Sequence, residues 1–428
     1  MNTIAYKCPC CAAPLAFGGA SGRLECASCG NSYETDALDT MYAGGSSGGM
    51  QFELHAESFD EAEAQAMRAY ICKGCGAELM TEGTTTATEC PYCGSPTILP
   101  DRIEGGVRPE LVIPFTITKE QAQQQFDEYF KGKLLMPNIF RDGRNRISDM
   151  RKLYVPYWLF DCGAQANIVY DAEKKETRRE GDWEVTRTEH YIVRRKGSMA
   201  FERIPVDGSV KLDNKITESV EPYDLSAAVP FGPAVLAGAL ADHADVNADE
   251  CEARAAERVE KSVVSAMRDT VVGYTHVSER SRNIETEEGK VTPVLMPIWL
   301  ITTEKDGETY TFAINGQTGK LTCDVPADKK KAFAWGAGVF AGVFGLGALI
   351  QYFLQQFGSG TMLMAGIIAV IAALITVGSL KAQLKQAVLS SGASEYIKEG
   401  SFKLDVSYDK FLYERTISRK IETGEQKK

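Results

Sequence analysis

Eight of the twelve cysteines in this 428-residue chain fall into four C-x-x-C pairs before residue 94. Cys8/Cys11 and Cys26/Cys29 form one set, and Cys72/Cys75 and Cys90/Cys93 form another. Fourteen residues separate the two pairs in each set. A two-residue gap lets one tight turn aim both sulfurs at a single ion, and two such turns complete a tetrahedral Zn²⁺ site of four thiolates. The matched spacing predicts two structural zinc ions, because four cysteines close the shell and leave no position for a reacting water. A redox dithiol uses one such pair and has no need of four. Gly30, Gly76 and Gly94 each follow the second cysteine of a pair. A residue free to take positive φ there turns backbone N–H groups toward the sulfurs. The first knuckle departs from this, with Ala12 in place of glycine and Cys10 beside it as a competing ligand. The spacing selects Cys8 and Cys11.

The paired knuckles resemble the zinc ribbon of transcription factors and ribosomal proteins. Charge decides what such ribbons face here. Residues 1–100 hold four basic side chains (Lys7, Arg23, Arg68 and Lys73) against twelve acidic ones, and the whole chain carries −11. Neutralising phosphates is the main source of non-specific nucleic-acid affinity. This end of the chain would be repelled, so nucleic acid is not an expected partner and protein contact is. The remaining thiols, Cys162, Cys251 and Cys323, are isolated. The pattern is not that of a small secreted disulfide scaffold. The opening "MNTIAYKCPC" has neither a charged n-region nor an apolar h-region, so no signal peptide is expected.

No charged residue occurs from Ala332 to Leu380. The stretch divides at "QQFGSG" into segments of roughly 34 Å and 30 Å as helices, each long enough to span a bilayer. Small residues recur every fourth position, at Ala337, Ala341 and Gly345 and again at Ala365, Ala369 and Ala373, which favours close helix packing. Lys329, Lys330 and Lys331 precede the first span, and Lys381 and Lys385 follow the second. The positive-inside rule then places both termini in the cytoplasm, where reducing conditions keep thiolates available for metal.

Between these signals the chain reads as a mixed, β-rich region over 107–325. "AGGSSGGM" (Ala43–Met50) has the composition of a flexible linker. "ESFDEAEAQAMRAY" reads as a short helix leading into the second ribbon. "TKEQAQQQFDEYFKG" reads as a helix capped by Thr118, and "NADECEARAAERVEKSVVSAMRDTVVGY" as a longer one starting near Asn247 or Asp249. Pro-x-Trp-Leu occurs at Pro156–Leu159 and Pro297–Leu300, each expected to open a strand, with the tryptophan in the core. "INGQTGKLT" is not a phosphate loop: Gly316 and Gly319 stand too close and Leu321 follows Lys320, so a strand–turn–strand is expected. Phe130–Lys152 carries seven Lys or Arg against two Asp. In the tail, "SFKLDVSYDKFLYERTI" alternates as a hairpin would. The histidines, His55, His190, His243 and His276, adjoin no nucleophile motif, and the chain is not expected to be an enzyme.

The "CPYCG" knuckle, "LVIPFTITKEQA", "FKGKLLMP", "LYVPYWLFD", "GQTGK", "DVPADKKK" leading into two spans, and "KEGSFKLD" together resemble a bacterial family of membrane proteins with TFIIB-type zinc ribbons. Its members are often labelled primosomal replication helicases, but no helicase motif is present here. The resemblance implies association with phage-shock protein A homologues and SPFH-domain proteins. The expected fold is multidomain α+β. It comprises a first ribbon (1–42), a linker and short helix (43–70), a second ribbon (71–100), the mixed domain (107–325), a transmembrane hairpin (332–380) and a cytoplasmic tail (381–428). Such a protein would be an adaptor of the cell membrane in an envelope-stress assembly, with the bilayer and cytoplasmic proteins as its partners. A membrane-tethered nucleic-acid-binding or regulatory protein is the other class. Topology reporters fused at Gly358 and at the C-terminus are expected to report opposite sides of the membrane. The same side for both contradicts the hairpin.

Overall fold

The computed structural model describes residues 6–18, 21–42, 52–54, 57–83, 89–96, 98–101, 107–138, 150–287, 289–305, 308–323, 327–354, 358–384 and 392–421. The linker Ala43–Met50 and the middle of the basic stretch lie outside them.

Two very long strands, Arg151–Glu180 and Trp183–Asp207, form an antiparallel hairpin paired from Glu180↔Trp183 to Tyr157↔Asp207, with one register shift between Phe201 and Ile204. The two-residue connection is Gly181-Asp182, with Gly181 at φ 64°, where a leading glycine suits a tight hairpin turn. The sequence of the first strand changes character along its length. "LYVPYWLF" is a continuous apolar run buried on both faces, "AQANIVYDA" alternates, and "EKKETRRE" is polar and exposed. The hairpin is therefore embedded at its base and becomes a bare blade at its tip.

The strand Gly289–Lys305 pairs antiparallel with Arg151–Asp161 at the base. The strand His276–Thr286 pairs with Ala164–Glu173 further out. The tail forms one strand, Lys403–Lys420, laid along Trp183–Ser198, not the hairpin its alternation predicts. The existing edge Trp183–Ser198 offers an eighteen-residue tail strand more backbone partners than folding back on itself.

The second ribbon also joins this sheet. Its strands Met67–Cys72 and Glu78–Glu82 connect through Leu240–Asp242, which runs antiparallel to Leu79–Met80 and parallel to Leu153–Tyr154. The helix expected over 57–70 is confined to Glu61–Ala66, started by an Asp60/Glu63 capping box. From Met67 onward, pairing with Glu78–Glu82 prevails.

The Pro-x-Trp-Leu segments do not open strands. They lie inside neighbouring strands, with Leu295↔Pro156 and Pro297↔Tyr154 in register. Proline removes a donor but keeps an acceptor: the Pro156 carbonyl accepts from Gly208 N–H (2.9 Å) and that of Pro297 from Gly316 N–H (2.8 Å). Both indoles act as core struts, Trp158 donating to the Val246 carbonyl and Trp299 to that of Ile117, each at 2.9 Å. Asn315–Lys320 is the expected strand–turn–strand, with the Asn315 side chain accepting from Gln317 and Thr318 N–H and Gly319 at φ 80°.

Helix Ala248–Asp269 covers one face with Cys251, Ala255, Val259, Val263 and Met267, spaced every fourth residue, against Phe160, Ala164, Ala166 and Ile168. Helix Lys119–Phe130, capped by Thr118 as expected and closed by a capping box with Gln121, sets Ala122, Phe126 and Phe130 against Trp299, Ile301 and Phe312. Along its inner side the longer helix also carries cations. Arg254 binds Asp207 (2.7 Å) and Glu218 (2.9 Å), and Arg258 binds Glu221 (2.7 Å), which also accepts from Tyr396 Oη (2.7 Å). Burial pushes the Glu221 carboxyl up from its ordinary value, and the Arg258 guanidinium pulls against it. Arg258→Ala leaves that carboxylate buried without its cation. It is expected to cost about 3–5 kcal/mol, measured by thermal unfolding of the detergent-solubilised chain. Arg258→Met with Glu221→Gln is expected to recover most of the loss.

Candidate metal centres and the apolar hairpin

The knuckle turn occurs four times with one geometry. Ala12, Gly30, Gly76 and Gly94 donate N–H to the carbonyls of Cys8, Cys26, Cys72 and Cys90 at 2.8–2.9 Å. All four sit at positive φ, 61°, 74°, 69° and 69°. Ala12 therefore takes the conformation glycine takes elsewhere, at a cost of about 1 kcal/mol or more. Each turn is closed by the first cysteine's N–H on a carbonyl five residues on, at Ala13, Asn31, Ala77 and Ser95.

The turns bring the sulfurs together as the spacing requires. Cys8, Cys11, Cys26 and Cys29 converge with all Sγ atoms within 4.8 Å of one another, and so do Cys72, Cys75, Cys90 and Cys93. The shortest Sγ–Sγ separations are 3.5 Å in the first group (Cys8–Cys29, Cys11–Cys26) and 3.6 Å in the second (Cys72–Cys93, Cys75–Cys90). These are too long for disulfides and close to the edge of about 3.8 Å in a tetrahedron with 2.3 Å Zn–S bonds. No histidine or carboxylate enters either group. The donor set fits a closed structural Zn²⁺ site. Cys10 is exposed and stands outside the group.

Backbone N–H groups favour the thiolate at Cys29 and Cys72, while burial raises Cys75 and Cys90. The Asn31 N–H holds Cys29 down at about 6. Burial opposes ionisation of Cys72, but N–H groups of Cys75 and Gly74 outweigh it and leave the thiol at about 7.

The two centres are placed differently. The second sits at the foot of the sheet, where Cys72, Leu79, Cys90 and Tyr92 pack with Leu153, Val155 and Leu300. Tyr92 Oη and Ser209 Oγ both donate to the buried Asp242 Oδ2, at 2.5 and 2.6 Å. Thr302 Oγ1 donates to the Pro91 carbonyl, and Arg151 pairs with Glu89. The first centre sits out on the blade, with Tyr33, Leu38 and Met41 against Val169, Ile192 and Leu412, and Lys410 on Glu34 at 2.7 Å. Along the strand from Leu153 to Val169 that is on the order of 50 Å. The Tyr92–Asp242–Ser209 junction left no local signal in the sequence.

Helices Lys329–Phe353 and Ser359–Ala382 are long and apolar enough to cross a membrane. They carry an outward coat of exposed Leu346, Leu349, Ile350, Leu363, Ile367 and Leu374. Of the two small-residue stripes, Ala365 and Ala369 are buried between the helices, whereas Ala337, Ala341 and Gly345 face outward. The first helix presents Gly347 to Ala365 and Gly336 to Val377 in their place. Exposed Trp335 and Tyr352 lie about 26 Å apart along it, the spacing of two membrane interfaces.

A curated relative, the "Uncharacterized protein YdjG" of Bacillus subtilis (strain 168), is 35% identical over 341 residues, 80% of this chain and 95% of that protein. The chain belongs to the YdjG family. No family model matches it, and no solved structure does. The TFIIB-type label thus rests on the motifs alone. For this YdjG-family member, metal analysis under reducing conditions is expected to give two zinc ions per chain. Cys90→Ser with Cys93→Ser is expected to give one. A wild-type value of one or none overturns the two-centre assignment.

Proposed function

We propose that the protein is a membrane-anchored zinc-ribbon adaptor, with two structural Zn²⁺ ions, both termini cytoplasmic, and no turnover of its own. The carrying observation is placement. One ribbon is built into the foot of the sheet, and the other is fixed out on a strand pair whose tip residues are exposed among the described residues. This differs from a pair of freely tethered heads. It is a stalk with one rigid fitting at its foot and another partway along its length. Metal binding supplies folding free energy to a small fold with little core, so each fitting keeps its shape without thickening the blade. The −8 balance of residues 1–100 disfavours a phosphate backbone and suits a basic protein surface. Exposed Trp183, Phe411 and Ile417 near the tip add apolar contact area of the kind that anchors interfaces.

The resemblance names phage-shock protein A homologues and SPFH-domain proteins as the partners, in an envelope-stress assembly. In this reading the distal ribbon engages them and the proximal ribbon braces the foot. Cys26→Ser with Cys29→Ser is expected to abolish co-purification of the phage-shock protein A homologue from solubilised membranes, while the chain stays in the membrane fraction. Recovery of that partner at wild-type level from this variant and from Cys90→Ser/Cys93→Ser alike sinks the adaptor reading.

A further inference from the structure

Several lysines stand at the foot of the apolar hairpin. Lys329 and Lys330 stand exposed on the first turn of the first helix, and Lys381 stands exposed near the end of the second. These ends meet, since Ala332, Val377, Leu380 and Leu384 share one apolar cluster with Phe130, Leu135 and Met136. The segment 131–138 is stitched to the same place. Asp328 N–H donates to the Leu135 carbonyl (2.8 Å), and Lys331 Nζ donates to the Met136 carbonyl (2.7 Å) and Asn138 Oδ1 (2.6 Å). Lys331 is thereby consumed as a strut. Asp328 caps the helix through Lys330 and Lys331 N–H.

Lys133 is fixed by this stitching. It is half-buried, its ammonium lies over the Tyr129 ring, and among the described residues no carboxylate pairs with it. Burial lowers it to about 8. A partly desolvated cation without a counter-ion is costly. Exposed apolar side chains flank this foot, Leu134 on the segment and Phe333 and Trp335 in the first two turns of the helix that Lys331 ties to it. A soluble anion would answer the charge and leave these exposed. A lipid answers both, with its phosphate on the ammonium and its glycerol and acyl region against the apolar side chains.

We propose that this foot is a binding site for the headgroup phosphate of anionic phospholipid, with Lys133, Lys330 and Lys381 as its contacts. The proposal rests on the hairpin lying in a membrane.

The test uses the full-length chain in a neutral detergent, titrated with fluorescent phosphatidylglycerol or phosphatidylcholine. Preferential binding of phosphatidylglycerol is expected. Lys133→Gln is expected to weaken it about fivefold, the worth of one lysine at a membrane surface, and Lys133→Arg to retain it. Adding Lys330→Gln and Lys381→Gln is expected to remove the preference. Equal binding of the two lipids by the wild type, or an undiminished preference in the triple variant, overturns the proposal. So does displacement of the labelled lipid by millimolar inorganic phosphate, which would assign the lysines to a soluble anion. Carbonate extraction of the membranes separates the underlying reading: release of the wild-type chain would refute membrane insertion itself, whatever the lipid titration gives.

Discussion

The register between Arg151–Glu180 and Trp183–Asp207 fixes where every other part of the molecule can stand. Side chains in a strand alternate between faces, so a slip of one residue would turn the buried row Cys162, Ala164, Ala166 and Ile168 outward. It would also strip helix Ala248–Asp269 of its seat and move Val169 and Ile192 from beneath the first ribbon. The same pairing supplies the edges on which Gly289–Lys305, His276–Thr286 and the tail strand are laid. Two further constraints hold the register in place. Gly181 fits only a tight turn at one end. At the other, Trp158 is tied to the Val246 carbonyl and Asp207 to Arg254.

Beneath that sheet the covering helix joins two kinds of contact on one side. Its apolar row packs on the strands, and its arginines gather the acids of residues 207–221. Desolvating such charges costs more than an apolar core of equal volume, so their benefit lies in specifying one arrangement more than in stability. Glu221 shows how: Arg258, Tyr396 and the Lys320 ammonium all converge on this one residue, from helix, tail and turn.

Legibility in the sequence followed the range of each interaction. The two four-cysteine groups were readable, because ligand spacing is local chemistry and the turn that satisfies it repeats four times. The apolar hairpin was readable from an unbroken composition, and the Thr118 cap from a four-residue pattern. What was hidden depends on distant partners. The tail reads as a hairpin because its alternation is the same whether it folds back or lies on Trp183–Ser198. Domain boundaries drawn around the second ribbon missed that its strands continue a sheet, since Asp242 lies 150 residues from the tyrosine that binds it. Which face of the first helix meets the second was open in the sequence for a related reason: the opposing Ala365 and Val377 select Gly347 and Gly336 over the Ala337, Ala341 and Gly345 stripe.

The blade has a mechanical consequence. Its two strands join at the tip, so a pull there runs along both backbones, and the hydrogen bonds to the flanking strands resist it in shear, many sharing the load. The hairpin, braced by His276–Thr286 on one edge and Lys403–Lys420 on the other, then behaves as a stiff tether. Tension from whatever holds its far end reaches the apolar helices with little slack.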